Sequence, residues 1–400
     1  MKNGWKTKSL GEVCSFLNRG ISPRYLESGG ICVLNQKCIR DHRVSYEPSR
    51  RHDARAKKVG SERLIQAGDV LVNSTGTGTL GRVAQLREAP LEPTTVDSHV
   101  TIVRPTPGKF YPEFFGYMLV VIEDAIKEAG EGCGGQTELA RSALAEKFPV
   151  HYPESLFEQQ RIVGILDEAF EGLATAKANA EKNLRNARAL FESHLQSVFT
   201  QRGKGWENLQ LVSVCDLFVD SAHRTPKYAD DGIPALRPRD VVNGKLNLEG
   251  ALRVCEEEYE IQSKRYKPKP GDIVYSRELS YGWAALLPRS PRVCLSQGMC
   301  LFRPSSKLDA SFLLYVLNGS IGREQATRAA VGAAHPHINL GDIKSYLIPM
   351  PPLETQRQIA EQLNALREES QRLESIYQRK LAALDALKKS LLHQAFSGAL

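Results

Sequence analysis

The 400-residue sequence has no hydrophobic run long enough to cross a membrane, since its longest apolar stretches are as short as Phe312–Leu317. A transmembrane helix needs roughly 20 apolar residues. The N-terminal segment 1–6 contains no apolar stretch typical of a secretory signal peptide. Eight cysteines are present without a Cys-x-x-Cys spacing, which argues against a zinc knuckle and a disulfide scaffold. The sequence therefore predicts a cytoplasmic globular protein with reduced thiols.

Familiar catalytic motifs are also missing. The sequence contains no Asn-Pro-Pro-aromatic tetrapeptide of amino-methyltransferases, no Walker A loop, no nucleophile elbow and no His-Glu-x-x-His. Asp and Glu number 46, but no paired constellation suited to nuclease chemistry stands out. We therefore predict no catalytic residue and no metal site in this chain, and a binding role rather than a catalytic one.

The charge is unevenly distributed along the chain. Lys and Arg number 53 against the 46 acidic residues, a net charge of +7. Segments 154–200 and 353–400 are together slightly acidic, so the basic excess lies elsewhere, much of it in Lys37–Lys58. A localised basic excess suits a polyanion such as nucleic acid, although a solvated surface accounts for the charge equally well.

The sequence contains an internal duplication with a period of half the chain. The matched segments follow one another in the same order, at an offset that drifts only between about 197 and 203 residues. They pair Gly4-Trp5 with Gly205-Trp206, Gly68-Asp69-Val70 with Gly271-Asp272-Ile273, Val103-Arg104-Pro105 with Phe302-Arg303-Pro304, and Leu156-x-x-Gln159 with Leu353-x-x-Gln356. One such match would be chance, but this many in order indicate two copies of one unit.

The first part of each copy has the pattern of a mixed α+β domain. Gly and Pro separate short β-rich runs, and apolar stretches with helical character follow them. The predicted strands are Ile31–Leu34, Asp69–Asn73 and His99–Arg104 in the first copy, with Asp272–Tyr275 and Met299–Arg303 in the second; the predicted helices are Phe114–Ala129 and Phe312–Gly319.

The last part of each copy predicts one long helix. Apolar or small residues recur every three or four positions after Pro153 and Pro352, where a helix can begin. A helix of about 40 residues spans roughly 60 Å and presents a narrow apolar stripe that needs a partner. We expect the two helices to pair antiparallel, although each could instead lie only on its own domain. Gly164 and Gly172 in the first helix indicate loose pairing or room for a partner helix.

This order of globular domain, proline-preceded Leu-x-x-Gln segment and long helix occurs twice, and it resembles the DNA-specificity subunit of type I restriction–modification systems. The resemblance rests on 153–163, 352–360 and the two Gly-Asp segments, and the repeated order covers essentially the whole chain. It implies an α+β fold with two mixed α/β target-recognition domains, related by pseudo-two-fold symmetry and separated by two long antiparallel coiled-coil helices. The implied segments are 1–152 (first domain), 153–200 (central helix), 201–351 (second domain) and 352–400 (C-terminal helix).

The resemblance also implies a function and a set of partners. In the family, each globular domain recognises one half of a bipartite double-stranded DNA target, and the helices bind modification (methyltransferase) subunits, usually two. S-adenosylmethionine is held by those subunits, while ATP and Mg belong to a restriction/translocase partner, so no cofactor is expected on this chain. The alternative is a coiled-coil protein-interaction scaffold without DNA binding.

Base recognition requires Arg or Lys for guanine, Asn or Gln for adenine, and small groups for thymine. Loop residues of these types are the candidate DNA contacts, each of which could equally be a surface charge or a phosphate contact. In the first copy they are Asn35, Gln36, Lys37, Arg40, Asn73, Ser74, Thr75 and Gln136; in the second, Arg224, Arg237, Arg239, Ser276, Arg277, Gln297 and His337. Arg237-Pro238-Arg239 aligns with Asn35-Gln36-Lys37, as expected of two domains that read different half-sites.

Two further motifs have competing interpretations. Gly76–Gly81 matches the G-x-G-x-x-G fingerprint, but the segment after it is too short for the helix of a dinucleotide site. We expect a turn into the next strand, whose backbone N–H groups and hydroxyls could contact phosphates; a nucleotide-dependent enzyme is the alternative. His335-Pro336-His337 lacks nearby ligands for a metal and indicates a surface or DNA-facing loop.

Overall fold

The computed structural model describes residues 4–133, 136–203, 205–242 and 244–400, while the side chains of Cys133 and Gln136 lie outside this description. Contacts within the chain define two compact units, Met1–Ala180 with Arg379–Leu400, and Glu181–Gln378. Each unit contains one globular part and a segment of each long helix. The predicted domain limits stay a prediction, because the contact units divide both helices.

The first unit is a mixed α+β structure. Its strands are β1 Trp5–Ser9, β2 Cys14–Arg19, β3 Tyr25–Leu26, β4 Ile31–Leu34, β5 Ile39–Arg40, β6 Arg43–Val44, β7 Arg50–His52, β8 Val70–Asn73, β9 Val83–Gln85, β10 Thr94–Val96, β11 Val100–Pro105, β12 Glu131–Cys133, β13 Gln136–Glu138 and β14 Pro149–Pro153. Its helices are α1 Pro112–Val121, α2 Glu123–Glu128, α3 Arg141–Glu146 and the beginning of α4, which runs over Leu156–Thr200.

The second unit repeats most of this order, without a counterpart of β3 and with a helix, α5 (Glu256–Gln262), where the first unit has a short 3-10 turn over Ser61–Arg63. Its strands are β15 Glu207–Gln210, β16 Cys215–Asp220, β17 Ile233–Leu236, β18 Val241–Val242, β19 Lys245–Leu246, β20 Leu252–Val254, β21 Ile273–Ser276, β22 Ala284–Leu286, β23 Cys294–Leu295, β24 Met299–Pro304, β25 Ala330–Val331, β26 His337–Ile338 and β27 Leu347–Met350. Its helices are α5 Glu256–Gln262, α6 Ala310–Asn318, α7 Ser320–Ala329, α8 Leu340–Lys344 and the first part of α9, Leu353–Ser397.

The main antiparallel sheet has the same strand order in both units. It is β2-β11-β8-β9 in the first unit and β16-β24-β21-β22 in the second. The inner strands β8 and β21 are buried along their whole length. The strands predicted over Asp69–Asn73 and Asp272–Tyr275 are therefore confirmed as β8 and β21, and the structure adds that both are interior strands.

The Gly-Asp segments owe their recurrence to a buried ion pair. Asp69 and Asp272 are almost completely buried, and an arginine from the neighbouring strand binds each of them through two nitrogens. In the first unit Arg104 Nε and Nη2 each lie 2.8 Å from the Asp69 carboxylate. In the second, Arg303 Nε and Nη2 lie 2.6 and 2.8 Å from Asp272. A buried carboxylate needs such a partner because burial strips its hydration.

A smaller sheet lies beside the main one in each unit. Its strand order is β10-β4-β7-β3 in the first unit and β20-β17-β23 in the second. Each sheet contains one parallel pair, β4 with β10 and β17 with β23. A short 3-10 turn follows β4 and β17, over Gln36–Cys38 and Pro238–Asp240, so the two segments aligned from the sequence occupy equivalent turns.

Both long helices contribute to the core of each unit. In the first unit Ile162 and Leu166 of α4 and Phe396 of α9 pack with α1, and the Phe114 and Phe396 rings lie 4.9 Å apart. In the second unit Phe199 of α4 lies 5.6 Å from the Phe312 ring of α6. The apolar stripe predicted for each helix is thus buried against the globular part as well as against the other helix.

The two long helices run antiparallel within each unit. In the first unit Arg161 donates a hydrogen bond to the Leu400 carbonyl at 3.0 Å, and Lys177 lies 2.9 Å from Asp385. Residues later in α4 therefore contact residues earlier in α9. In the second unit Arg188 lies 2.8 Å from the Glu374 carboxylate. There Arg367 stacks over the ring of Phe191, again with the numbers running in opposite directions. The predicted antiparallel pairing is confirmed within each unit.

Among the described residues, no helix combines the length and the apolar character needed to span a bilayer.

Candidate nucleic-acid interface

The Gly76–Gly81 segment is a tight connection between two strands. It joins β8 to β9, and Gly76, Gly78 and Gly81 have φ values of +105°, +78° and +82°. Glycine adopts these left-handed values without steric cost. A strand follows the segment where a dinucleotide fingerprint requires a helix, so the predicted turn is confirmed and the fingerprint lacks its structural context.

A hydrogen-bond network joins this turn to the 3-10 turn after β4. Gln36 Nε2 donates to the Thr75 carbonyl at 2.9 Å and to the Thr75 hydroxyl. Thr79 Oγ1 donates to Gln36 Oε1 at 3.3 Å, and Asn73 Nδ2 donates to the Gln36 carbonyl at 3.1 Å. The Thr75 hydroxyl also lies 2.8 Å from Nδ1 of His99. The network thereby joins Gln36 to two candidates from a distant part of the sequence, Asn73 and Thr75.

Burial separates these candidates into two groups. Asn73, Ser74 and Thr75 are at most 5% exposed, so they support the surface from beneath and do not reach outward. Lys37 and Arg40 are exposed, and so is His99, which the sequence analysis missed. The available signal was the position of His99 immediately before a buried strand. Gln136 is a candidate whose side chain lies outside the described residues.

The second unit builds the equivalent place from different residues. Arg277 Nε lies 3.2 Å from Asp220, and both side chains are only 11% exposed. The backbone of Glu278 forms a bridge with His337, which is exposed. Ser276 is buried and donates to the Ser280 carbonyl at 2.6 Å. Arg277 and His337 are thus brought together, but Arg277 is engaged inside the protein.

In the equivalent 3-10 turns after β4 and β17, the first aligned residue stabilises the turn and the third is exposed. Asn35 Oδ1 accepts from the Lys37 amide at 2.9 Å, while Arg237 Nε donates to Asp240 at 2.8 Å, so both first residues stabilise their own turn. The third residues, Lys37 and Arg239, are exposed. Within the described part of the chain, neither has an acidic partner in ion-pair distance. Equivalent exposed cations at equivalent turns suit contact with a polyanion.

The remaining candidates are dispersed. Arg224 binds Glu258 through two short contacts, 2.8 and 3.0 Å, on the α5 side of the second unit. Gln297 is exposed in the turn before β24. Arg40 is exposed beside Asp41, at 3.8 Å from its carboxylate.

A groove of about 1090 Å³ in the first unit lies between the globular part and the long helices. Its lining includes both Arg87 and Asp167, which meet Tyr117 there. Burial and the Asp167 carboxylate raise the pKa of Tyr117 to about 12, so the phenol stays protonated and donates to that carboxylate. Several other carboxylates line the groove, namely Asp41, Glu88, Glu92, Glu113 and Glu171, and these do not suit a polyanion.

In the described ranges, no cluster of His, Cys, Asp and Glu has the arrangement of a metal site. The cysteines in these ranges are free thiols, apart from Cys133, whose side chain is outside the description. Burial raises the pKa of Cys38 to about 11 and that of Cys14 to about 12, so these thiols stay protonated and pack as apolar groups.

The family model described as "Type I restriction modification DNA specificity domain" matches residues 2–183 and 203–378. The chain belongs to this family. The two matched ranges correspond to the two copies recognised in the sequence, so the predicted duplication and the resemblance are confirmed.

Curated relatives are specificity subunits of type I restriction enzymes. The EcoBI subunit of Escherichia coli is 25% identical over 171 residues, which cover 42% of this chain and 36% of that relative. The MjaVIII subunit of Methanocaldococcus jannaschii is 23% identical over 252 residues, covering 61% and 58%. These two alignments span less than two thirds of the relatives' lengths. The putative MjaX subunit of the same archaeon is 21% identical over 419 residues, covering 98% and 93%.

Two solved structures share the fold of this family member. A chain from the structure on complex assembly and conformational transition of the type I R-M system has a TM-score of 0.80 at 19% identity, covering 100% of this chain and 99% of that one. The HsdS subunit from Thermoanaerobacter tengcongensis has a TM-score of 0.65 at 21% identity, covering 100% and 98%. The predicted α+β fold, with mixed domains and long antiparallel helices, is confirmed.

Proposed function

We propose that this chain is the sequence-specific DNA-binding subunit of a type I restriction–modification complex. Each globular part binds one half of a bipartite double-stranded target, and the long helices scaffold the modification subunits. The chain performs no chemistry of its own and determines where the partner enzymes act.

One observation carries this proposal: equivalent backbone positions bear different side chains in the two units. The Ser74 amide donates to the His99 carbonyl at 2.9 Å, and the Arg277 amide donates to the Gly298 carbonyl at 2.8 Å. The same main-chain contact therefore holds a histidine at the surface of one unit and a glycine in the other. A shared framework with different surface chemistry is what recognition of two different half-sites requires.

The exposed cations support duplex DNA as the ligand. Lys37 and Arg239 occupy equivalent turns, and the basic excess of the chain lies outside the long helices. A protein that neutralises phosphates releases condensed counterions, so its affinity for DNA falls steeply as salt rises.

We further propose the partners and cofactors that the resemblance to this family implies. Two modification subunits bind the helices and hold S-adenosylmethionine, and a restriction/translocase subunit in the full complex uses ATP and Mg. This chain holds no cofactor and works in the cytoplasm.

The test is the methylation pattern of cells that express the full chain with its modification subunits. Exchange of residues 1–152 for those of a relative with another target should change one half of the methylated sequence and leave the other half and the spacer unchanged. Removal of one heptad from each long helix should change the spacer and keep both halves. Unchanged methylation after the exchange would contradict the assignment of half-sites.

Binding to duplex DNA separates this proposal from a protein-interaction scaffold. The assembled complex should bind its bipartite duplex tightly at low salt and be retained on heparin. Assembly with partner proteins in the absence of any DNA binding would favour the scaffold.

A further inference from the structure

His99 is exposed, and both its backbone amide and its backbone carbonyl form hydrogen bonds that hold it in place. Its amide donates to Asp97 Oδ1 at 3.0 Å, and its carbonyl accepts from the Ser74 amide at 2.9 Å. Burial raises the pKa of Asp97, and the hydrogen bond from the His99 amide opposes that rise. The residue directly precedes β11, an inner strand of the main sheet. These two hydrogen bonds and the adjoining inner strand therefore fix the backbone that carries the imidazole.

The hydrogen bonds beneath the ring determine which nitrogen carries the proton. The Thr75 carbonyl can only accept, so the Gln36 atom 2.9 Å from it is the amide nitrogen, which also donates to the Thr75 hydroxyl. The Thr75 hydroxyl accepts from Gln36, and among the described residues His99 Nδ1, 2.8 Å away, is the acceptor within reach of its hydrogen. We therefore assign Nδ1 as the acceptor of this hydrogen bond and the N–H group of the ring to Nε2.

The second unit lacks this threonine–histidine hydrogen bond at the equivalent position. Gly298 stands where the first unit has His99, and Glu278 stands where the first unit has Thr75. A Cβ at Gly298 would lie 2.9 Å from Glu278 Oε2, so the glutamate side chain fills the space beside the backbone. One unit thus presents an N–H donor, and the other presents a carboxylate beside Arg277.

We propose that His99 reads a base in the half-site of the first unit, and that Gln36 and Thr75 are positioning residues for its ring. This inference rests on the proposed function and names one contact within it. The Nε2–H group would donate to an acceptor in the major groove, such as N7 or O6 of a purine. Lys37 directly follows Gln36 in the chain and is exposed, so a cation that can meet the same half-site lies next to the network.

The experiment selects sequences from a randomised pool of bipartite duplexes with the full chain assembled with its modification subunits. His99→Ala should lower the preference at one base pair of one half-site by about tenfold and leave the other half-site unchanged. Thr75→Val has the same shape but no hydroxyl, and it should weaken preference at that same base pair. Thr75→Ser keeps the hydroxyl and should restore it.

His151→Ala is the matched control. His151 is also exposed, and its Nδ1 lies 2.8 Å from the hydroxyl of Thr7 on the β1–β14 ribbon. Loss of this second Thr–His pair should leave every base preference intact. Circular dichroism and thermal unfolding of each variant would show that the fold is preserved.

The outcomes separate this inference from the proposed function. Full retention of base preference in His99→Ala would overturn the inference. A uniform loss of affinity with a smaller salt dependence would also overturn it, because it would make the ring a phosphate contact. If the wild-type complex selects no sequence at all, the proposed function fails, independently of any variant.

Discussion

Gln159 and Gln356 make the same three hydrogen bonds in the two units. Gln159 Nε2 donates to the Pro153 carbonyl at 2.8 Å and to the Lys109 carbonyl at 3.4 Å, and its Oε1 accepts from the Tyr111 amide at 2.8 Å. Gln356 repeats the pattern at the start of α9, with the carbonyls of Pro351 and Lys307 at 2.9 and 3.1 Å and the Asp309 amide at 2.9 Å. Both side chains are at most 1% exposed. Gln159 therefore joins the first turn of α4 to the segment that precedes α1. Gln356 joins the first turn of α9 to the segment that precedes α6 in the same way.

Replacement of either glutamine should destabilise its unit. Gln159→Leu or Gln356→Leu leaves buried backbone groups without partners, which should lower the free energy of unfolding by about 2–4 kcal/mol. Urea unfolding of the full chain measures the change. Gln160→Leu and Gln358→Leu are the matched controls, because these neighbours are exposed and should have little effect. Equal stability of Gln159→Leu and Gln160→Leu would contradict the role of the buried amide.

Loss of the arginine that pairs with the aspartate of a Gly-Asp segment should also lower the free energy of unfolding. Arg104→Met removes the bidentate partner of Asp69 and leaves a buried carboxylate uncompensated, which should lower the free energy of unfolding by about 3 kcal/mol. Arg51→Met is the control, since its ion pair with Glu92 is partly exposed and should contribute less than about 1 kcal/mol. Urea unfolding curves compare the two. If both variants lost the same stability, the buried pair would not differ from a surface pair.

The glycines of α4 offer a test that separates packing from partner binding. An added Cβ at Gly164 or Gly172 would meet open space, so alanine should raise the free energy of unfolding by about 1 kcal/mol at each position. Gly116→Ala in α1 is the contrasting control, because its Cβ would lie 2.2 Å from Gln85 Oε1 and should destabilise the unit. If Gly172→Ala stabilises the chain but weakens assembly with the modification subunits, then this helix face is part of the docking surface.

Each ion pair between the long helices should tolerate an exchange of the acidic and the basic residue between the two helices. Lys177 and Arg188 of α4 face Asp385 and Glu374 of α9, each pair within its own unit. Arg188→Glu should destabilise the pairing, and Glu374→Arg in the same chain should recover most of the loss. These side chains are partly exposed, so we expect a coupling of about 0.2–1 kcal/mol that decreases as salt rises. Additive effects of the two changes in a double-mutant cycle would show that the pair contributes nothing.

The exposed cations of the two 3-10 turns should act on separate half-sites. Lys37→Ala should relax one base pair of the first half-site and Arg239→Ala one of the second, each by about 1–3 kcal/mol. Selection from random duplexes with the assembled complex measures both effects, and Lys182→Ala on the exposed side of α4 is the control. A uniform loss of affinity, with a salt slope reduced by about 1, would identify a phosphate contact instead.

The sequence by itself determined the duplicated architecture. Three predicted features depend on local pattern: the repeat offset, the strands at and after the two Gly-Asp segments, and the apolar stripes of the two long helices. Local pattern shows which side chains must be buried, because buried positions recur with the period of a helix or a strand along the sequence. The equivalence of Asn35-Gln36-Lys37 with Arg237-Pro238-Arg239 was also available from the sequence.

Only the tertiary structure decided which candidate side chains are free to meet a ligand. Arg277 and Asn73 have the chemistry of base contacts, but an ion pair with Asp220 engages one and burial encloses the other. His99 was not a candidate, since nothing in its own segment indicates that Gln36 and Thr75 converge beneath its ring. Exposure and hydrogen bonding depend on residues distant in the chain, so residue type and spacing could predict the region of the interface but not its members.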